Sequence, residues 1–455
     1  MKDCDLVLKM LKKGDYEILR ILHSISNLIK QDFLETSLCE YPSNWWESLL
    51  TSESYSSDID VPEGMIGKKY GGGLVLKPHI GIFKDVITKD CSSMYPTIAA
   101  TQNLSSETIN CLCCKDDPLA LIPDEVMNII NKDLNTPRPH YWICKKTRGK
   151  FAVIQQRLID MKNDFKERGM KIEEKAVKII ANAGYGMFGE KHFKYYDPRL
   201  AEIITGFGRS YISAFERECA NYNLVALYGD TDSIFLQGNS SDIEAFAEMA
   251  RQKYKVTMST DKNWDLLVLT RNKKSYFGIV GGQVYHKKVW GLRSNNTPLE
   301  RELILKLISK EVVKSLDKQV IHDVIRVAFT DLEEKIKDSE FVKSNLFFSF
   351  TADKPLNEYE KEGYQREVFY ENVTSGKSIA AGERYKYYKI IPIKEDGRVK
   401  KFSTDGKYKL DLTKYKESLW NCIEPIAEAY GFNTEILREC LGSKVRIKKA
   451  KKLVS

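Results

Sequence analysis

Two aspartates one residue apart, Asp230 and Asp232, stand between short apolar flanks in LYGDTDSIF (227–235). Residues 225–228 and 233–236 read as the strands of a β-hairpin, and Gly-Asp is ordinary turn chemistry. On that reading alone the acids only make the turn. A hairpin tip also holds carboxylates rigidly, and neighbouring carboxylates repel unless a cation lies between them. Mg²⁺ suits such a place, because it combines one or two carboxylates with substrate phosphates. A third aspartate, Asp90, ends the β-rich run FKDVITKD and precedes CSSMYPTI. It either caps a helix or, if the strands share a sheet, meets the hairpin tip.

Lys178, Asn182 and Tyr185 follow one another at i, i+4 and i+7 and so lie on one helical face. An ammonium, an amide and a phenol along one stripe can meet phosphates, a sugar and a base; in isolation the stripe is an ordinary solvated face. Arg157, in the preceding helical stretch, can point to the same side. Cys111, Cys113, Cys114 and Cys144 could supply four sulfurs to Zn²⁺. The CxCC spacing is not that of a usual zinc knuckle and no second CxxC follows, so ordinary reduced thiols are the expectation.

The elements that must position these residues follow from pattern. The chain has 455 residues, 42% hydrophobic and 29% charged, the balance of a globular protein with room for several subdomains. No apolar run of about 18 residues spans a membrane. The N-terminus lacks the apolar core and small-residue cleavage site of a secretory signal. Ten cysteines in a chain this long do not make a disulfide scaffold. A net charge of +8 is compatible with a polyanionic partner without demanding one. The periodicity predicts helices over about 119–134, 151–167, 171–187, 198–220 and 241–256, with Gly169 stopping the second of these. The pair flanking Gly169 forms an antiparallel helical hairpin. Residues 74–91 suggest a hairpin running into a strand, and 264–292 are β-rich. A helical region of about 40 residues follows from Pro298.

Several segments, in order, resemble the blocks of family B DNA polymerases. DCSSMYPTI (90–98) is similar to the first palm motif, DxxSLYPSI, and KIIANAGYG (178–186) to the fingers motif, KxxxNxxYG. YGDTDS (228–233) matches the second palm motif residue for residue. YGGGLVLKP (70–78), NLSSET (103–108), TGFGR (205–209), KKSY (273–276) and GERYKYY (382–388) resemble the YxGG, post-palm, TxxGR, KKxY and thumb blocks. Each is weak alone; eight in order are specific.

The resemblance implies an α+β right-hand polymerase fold: an antiparallel palm sheet, helical-hairpin fingers and a mostly helical thumb. The expected divisions are an N-terminal segment 1–60, palm 61–150 and 188–295, fingers 151–187 and thumb 296–455. The implied activity is template-directed addition of dNMP to a primer 3′-OH. Two Mg²⁺ ions, with Mn²⁺ as a substitute, would be held by Asp90, Asp232 and the backbone carbonyl of Cys91. Asp230 would be a weaker third acid. Ser93 and Met94 would present backbone N–H groups to the triphosphate, and Tyr95 would exclude a 2′-OH. Arg157 and Lys178 would bind phosphates, Asn182 would lie beside triphosphate and sugar, and Tyr185 would pack against the nascent pair. Tyr70, Gly71 and Gly72 would approach the template, while Thr231, Lys274 and Tyr276 would contact DNA near the primer end. Primer–template DNA and dNTPs are the implied partners. The setting would be cytoplasmic, or nuclear in a eukaryote.

The sequence departs from the family pattern in three places. Met161 stands four residues after Arg157, where a second basic residue is usual, so Lys162 or Lys166 would substitute. Met94 replaces the usual Leu before the tyrosine. Only about 60 residues precede the YxGG-like block, and the one appealing DxE, Asp242-Ile-Glu244, falls after the second palm motif on what reads as a surface helix. Proofreading by this chain is therefore not expected, and a separate exonuclease or N-terminal polymerase chain is a possible partner. The rival reading is a catalytically weak or inactive polymerase-like subunit that binds primer–template within a multi-chain replicase.

Overall fold

A computed structural model describes residues 9–55 except 10 and 40, 70–352 except 133, 135 and 136, then 358, 363–374, 382–395, 398–405 and 408–441. Two compact units divide the chain, Met1–Leu76 with Thr88–Asp261, and Lys77–Ile87 with Lys262–Ser455.

Near its start the first unit has helices α1 (Glu17–Ile29), α2 (Phe33–Leu38) and α3 (Pro42–Ser52). Asp32 starts α2 by accepting a hydrogen bond from the Leu34 backbone N–H at 2.8 Å. Strand β1 (Gly81–Cys91) feeds directly into α4 (Met94–Thr101). A hairpin before β1 was expected; residues 81–91 instead form one unbroken strand. Helix α5 (Asp124–Asn131) begins later than its apolar pattern suggests. Pro123 is its cap, and proline disfavours helix in the residue before it.

Helices α6 (Lys150–Glu167) and α7 (Lys171–Met187) form the expected antiparallel pair. Gly169, at φ +69°, makes the left-handed residue that reverses the chain. On α6 the buried stripe runs through Phe151, Gln155, Leu158 and Lys162. The buried face of α7 includes Ala176, Val177, Ile180, Ala181 and Gly184. Trp46 of α3 donates its indole N–H to the Ile180 carbonyl at 2.9 Å. It lies so close to Gly184 that a Cβ there would stand 2.5 Å from the indole.

Helix α8 (Pro198–Glu218) is buried along most of its length, and Asp197 caps it at the Arg199 N–H. Strands β2 (Val225–Asp230) and β3 (Ser233–Gln237) form the hairpin that the sequence suggested. The turn is not Gly-Asp, however. Gly229 lies within the strand opposite Ile234, and Thr231, at φ +65°, makes the bend with Asp232. Gly229 is small because Leu76 presses on it: an added Cβ would sit 2.8 Å from Leu76 Cδ1. Helix α9 (Ser240–Tyr254) follows, then β4 (Met258–Leu269). Strands β2, β3, β1 and β4 are neighbours in that order. Strands β1 and β4 each contribute residues to both units.

In the second unit β5 (Tyr276–Val280) and β6 (Gln283–Lys287) are joined by Gly281-Gly282, both at positive φ, a two-residue turn that matches strand twist. The helical region from Pro298 is three helices rather than one: α10 (Pro298–Leu307), α11 (Lys310–Ser315) and α12 (Lys318–Lys335). Thr297, Ser309 and Asp317 cap them by accepting from backbone N–H groups two or three residues on, which is why the run is segmented. Helix α13 (Ser339–Asn345), β7 (Phe348–Thr351), α14 (Tyr364–Thr374), β8 (Arg384–Glu395), β9 (Arg398–Ser403), α15 (Leu412–Ala429) and α16 (Thr434–Cys440) complete this unit. Strands β7, β8 and β9 form a sheet, and Phe277, Ile304, Ile325, Trp420 and Ile423 belong to one apolar core.

Candidate active site

The chain positions that carry Asp90 and Asp232 are brought near each other because β3 lies between β2 and β1. The Cys91 backbone N–H donates to the Asp232 carbonyl at 2.7 Å, so the residue after Asp90 is tied to Asp232 itself. Asp230 is buried; its carboxylate accepts from the Thr231 hydroxyl at 3.1 Å. The turn is braced from outside by the YGGG segment, since the Thr231 N–H donates to the Leu74 carbonyl at 2.8 Å and the Leu76 N–H to Gly229 at 2.9 Å. Burial pushes the Cys91 thiol pKa well up, and Asp90 and Asp232 push it further. The thiol therefore stays protonated, and the hard donors here are carboxylate and carbonyl oxygens.

A buried ammonium of α6, Lys162, lies near Asp90. Lys162 is buried, and its Nζ donates to Ser92 Oγ and Ser93 Oγ, each at 2.9 Å. Burial lowers its pKa from the ordinary lysine value, and Lys178 and Lys166 lower it further, while Glu174 and Asp90 act the other way. Lys178 and Asn182 are exposed on α7 and Tyr185 is half-buried, all off the face that packs inward. Arg157 is elsewhere. It pairs with Glu53 at 2.8 Å, half-exposed. Five residues separate Arg157 from Lys162, which turns them about 140° apart around a helix. The apolar stripe Phe151–Leu158 already points to position 162, and that was the legible signal.

Ser93, at φ +52° and ψ +45°, precedes α4 and places no side-chain cap on it. Its hydroxyl faces Lys162 instead. The N–H groups of Met94 and Tyr95 lie in the first turn, where helix geometry gives them no intrahelical acceptor, and the helix dipole favours an anion there. Tyr95 is mostly buried, with ring centroid 4.5 Å from that of Tyr185. Its Oη is buried without a hydrogen-bond partner among the described residues. Two glycines shape its seat: a Cβ on Gly208 of α8 would lie 2.7 Å from Tyr95 Cε1, and one on Gly73 would lie 2.9 Å from Tyr95 Oη. Burial raises the pKa of both Tyr95 and Tyr185, with Asp232 contributing to each.

The remaining expected residues differ in placement. Gly71 packs on Arg209, whose Nη1 would be 2.6 Å from an added Cβ, whereas Gly72 has open space. Tyr70 neighbours Tyr185, Glu190 and Tyr196; burial and these groups push its pKa up to about 12. Arg209 of α8, part of TGFGR, is thus an under-appreciated member of this region. Lys274 and Tyr276 belong to the second unit. Lys274 has a left-handed backbone at φ +67°, and Tyr276 is buried with its ring 5.8 Å from Trp264. Asp242 and Glu244 lie on α9, as expected of a surface helix, and Glu244 accepts from the buried Lys89 ammonium at 2.6 Å.

A family model described as DNA polymerase family B matches residues 44–428. DNA polymerase 1 of Sulfolobus acidocaldarius is 25% identical over 474 residues, covering 95% of this chain and 51% of that protein. DNA polymerase 1 of Saccharolobus solfataricus is 28% identical over 399 residues, covering 83% and 43%. The solved family B DNA polymerase of Pyrobaculum calidifontis superposes with a TM-score of 0.66 at 22% identity, covering 94% of this chain and 55% of that one; the likeness shows the fold. The chain spans about half the length of the curated relatives it matches.

Proposed function

We propose, from the premise that this chain belongs to DNA polymerase family B, that it extends a primer 3′-OH on a DNA template with dNTPs, releasing pyrophosphate. The observation that carries the reading is the 2.7 Å bond from the Cys91 N–H to the Asp232 carbonyl, which brings Asp90 and Asp232 to adjoining strand ends.

The donor set fits Mg²⁺, with Mn²⁺ as a substitute: Asp90, Asp232 and the Cys91 carbonyl are hard oxygen ligands, and no ionised thiol competes. When bound, two such ions supply positive charge to the attacking and leaving oxygens of in-line phosphoryl transfer. The protein's own groups do the rest. Asp230, buried and held by Thr231, keeps the hairpin tip rigid and faces the primer end. Lys162 neutralises the triphosphate, with its ammonium held at the start of α4 by Ser92 and Ser93; Lys178 adds a second cation from α7. Lys162 is the basic residue proposed to stand in for the second cation usual four residues after Arg157, and Arg157 remains a candidate phosphate ligand. The backbone N–H groups of Ser93 and Met94, at the start of α4, receive phosphate oxygens. Tyr95, braced by Gly73, Gly208 and Tyr185, fills the space a 2′-OH would need, while Asn182 and Tyr185 flank sugar and nascent pair. Gly71, Gly72 and Tyr70 line the template side, and Lys274 and Tyr276 act at the primer strand. In this reading 61–150 with 188–295 are palm, 151–187 fingers and 296–455 thumb.

Excision is not part of the proposed activity, since Glu244 of the one DxE considered is engaged with Lys89. The test is extension of a recessed primer with dNTPs and Mg²⁺, comparing the chain with Asp232→Ala. Extension lost in the variant, with no primer shortening when dNTPs are left out, is the expected result. Tight duplex binding without extension would instead point to a non-catalytic subunit.

A further inference from the structure

We propose that Cys111, Cys113, Cys114 and Cys144 bind one structural Zn²⁺ as a closed tetrathiolate site in the first unit. The four Sγ atoms all lie within 4.8 Å of one another. Cys113 Sγ stands 3.6 Å from Cys111 Sγ, 3.8 Å from Cys114 Sγ and 3.6 Å from Cys144 Sγ. Around a tetrahedral Zn²⁺ with Zn–S of about 2.3 Å, sulfurs sit about 3.8 Å apart. A disulfide would need about 2.05 Å, and none of the four is so bonded. In a cubane iron–sulfur cluster each cysteine ligates a different iron, which spreads the sulfurs further than one ion does. The geometry is therefore that of a single ion, and an all-sulfur tetrahedron favours zinc.

The packing around the thiols is the second observation. The local core consists of Cys114, Ala120 and Cys144, with Cys111 and Trp142 against it. Leu112, between two of the cysteines, is 93% exposed, and Leu119 is 81% exposed. Ordinary packing would turn leucines inward; here Cys114 and Cys144 are buried while both leucines stay out. So small an apolar cluster contributes little to holding a segment that consists of short 3₁₀ turns and isolated bridges. A metal supplies what the core lacks. Backbone donors also face the sulfurs: the Lys145 N–H lies 3.5 Å from Cys114 Sγ, and the Thr147 N–H 3.3 Å from Cys144 Sγ. Such donors stabilise thiolate charge at a metal.

The ion would act as a clip. Asn103 Nδ2 donates to the carbonyls of Cys144 and Thr147 at 2.9 and 2.8 Å, and Asn103 Oδ1 accepts from the Gly149 N–H at 2.8 Å. Gly149 caps α6, the helix that carries Lys162. Fixing Cys144 therefore fixes the root of α6.

The full chain, purified without added metal, is expected to hold one zinc per molecule by elemental analysis. Titration with an organomercurial should release that zinc in step with four thiols. Cobalt substitution should give the strong thiolate-to-metal charge transfer and d–d bands of a tetrahedral tetrathiolate. Cys113→Ser, at an exposed position, should lower zinc content at least tenfold, while Asp232→Ala keeps it. Iron in place of zinc, four freely titrating thiols without metal, a disulfide among the four, or zinc lost on Asp232→Ala would each overturn the proposal.

Discussion

Lys162 Nζ lies 2.9 Å from Ser93 Oγ, which ties the middle of α6 to the start of α4. The contact places a buried ammonium next to the N-terminus of a helix, where anions are already favoured. If that ammonium grips the triphosphate, Lys162→Ala should raise KM for dNTP and lower kcat/KM about 10- to 100-fold, the range of a lost charge-assisted hydrogen bond. Arg157→Ala should stay within about threefold, because an exposed ion pair such as Arg157–Glu53 contributes little. Single-nucleotide incorporation kinetics compare the two. Equal losses in both variants would return the role to Arg157.

In the proposed reaction Asp90 and Asp232 are the two carboxylates that hold the metal ions. Asp232→Ala is therefore expected to reduce extension by about 10²- to 10³-fold, a typical cost for removing a transition-state electrostatic partner. Its melting temperature should stay close to that of the unaltered chain if the carboxylate serves metal binding rather than the fold. Asp230→Asn should cost less activity than Asp232→Ala. Melting curves and extension assays on the same preparations read both effects, and a large drop in stability for Asp232→Ala would assign that residue to the fold.

Gly208 and Gly73 leave room for Tyr95. A Gly208→Ala change would ordinarily stabilise a helix by about 1 kcal/mol. Here the methyl would meet the Tyr95 ring at 2.7 Å. We expect it to displace the ring and to narrow the preference for dNTP over rNTP, in the same direction as Tyr95→Ala. Competitive incorporation of paired deoxy- and ribonucleotides measures this. An unchanged ratio in Gly208→Ala with a changed ratio in Tyr95→Ala would separate seat from gate.

Glu244 pairs with Lys89, whose side chain is only 3% exposed. Removing the carboxylate leaves a buried charge with less compensation, and Thr260 Oγ1 at 3.0 Å is a neutral acceptor. Glu244→Gln should lower stability by about 1–3 kcal/mol and leave primer extension and primer integrity unchanged. Denaturant unfolding gives the first, and gel assays the second.

Much of the site could be read along the chain because local chemistry set it. The hairpin around Asp230 and Asp232, the Gly169 reversal between α6 and α7, and the stripe Lys178–Asn182–Tyr185 all depend on turn residues and helical period. Reading failed where a distant residue decided. Gly229 lies in the strand, where Leu76 leaves room only for glycine, and the turn falls two residues on at Thr231. The sequence offered Lys162 or Lys166 as the second basic residue of α6, and only the packing of α6 on α4 and α7 distinguishes them, by burying Lys162.

The sequence alone determined the family blocks, their order and the residue types that can hold a divalent ion or a phosphate. Tertiary structure decided which of those groups meet. Asp90 lies 142 positions before Asp232 in the chain, and only the placement of β3 between β2 and β1 brings them together. The same holds for Cys144 and the three cysteines near 112, whose spacing resembled no usual metal motif until the fold closed the loop. Local energies select turns and helix faces, whereas non-local strand pairing and burial choose the neighbours.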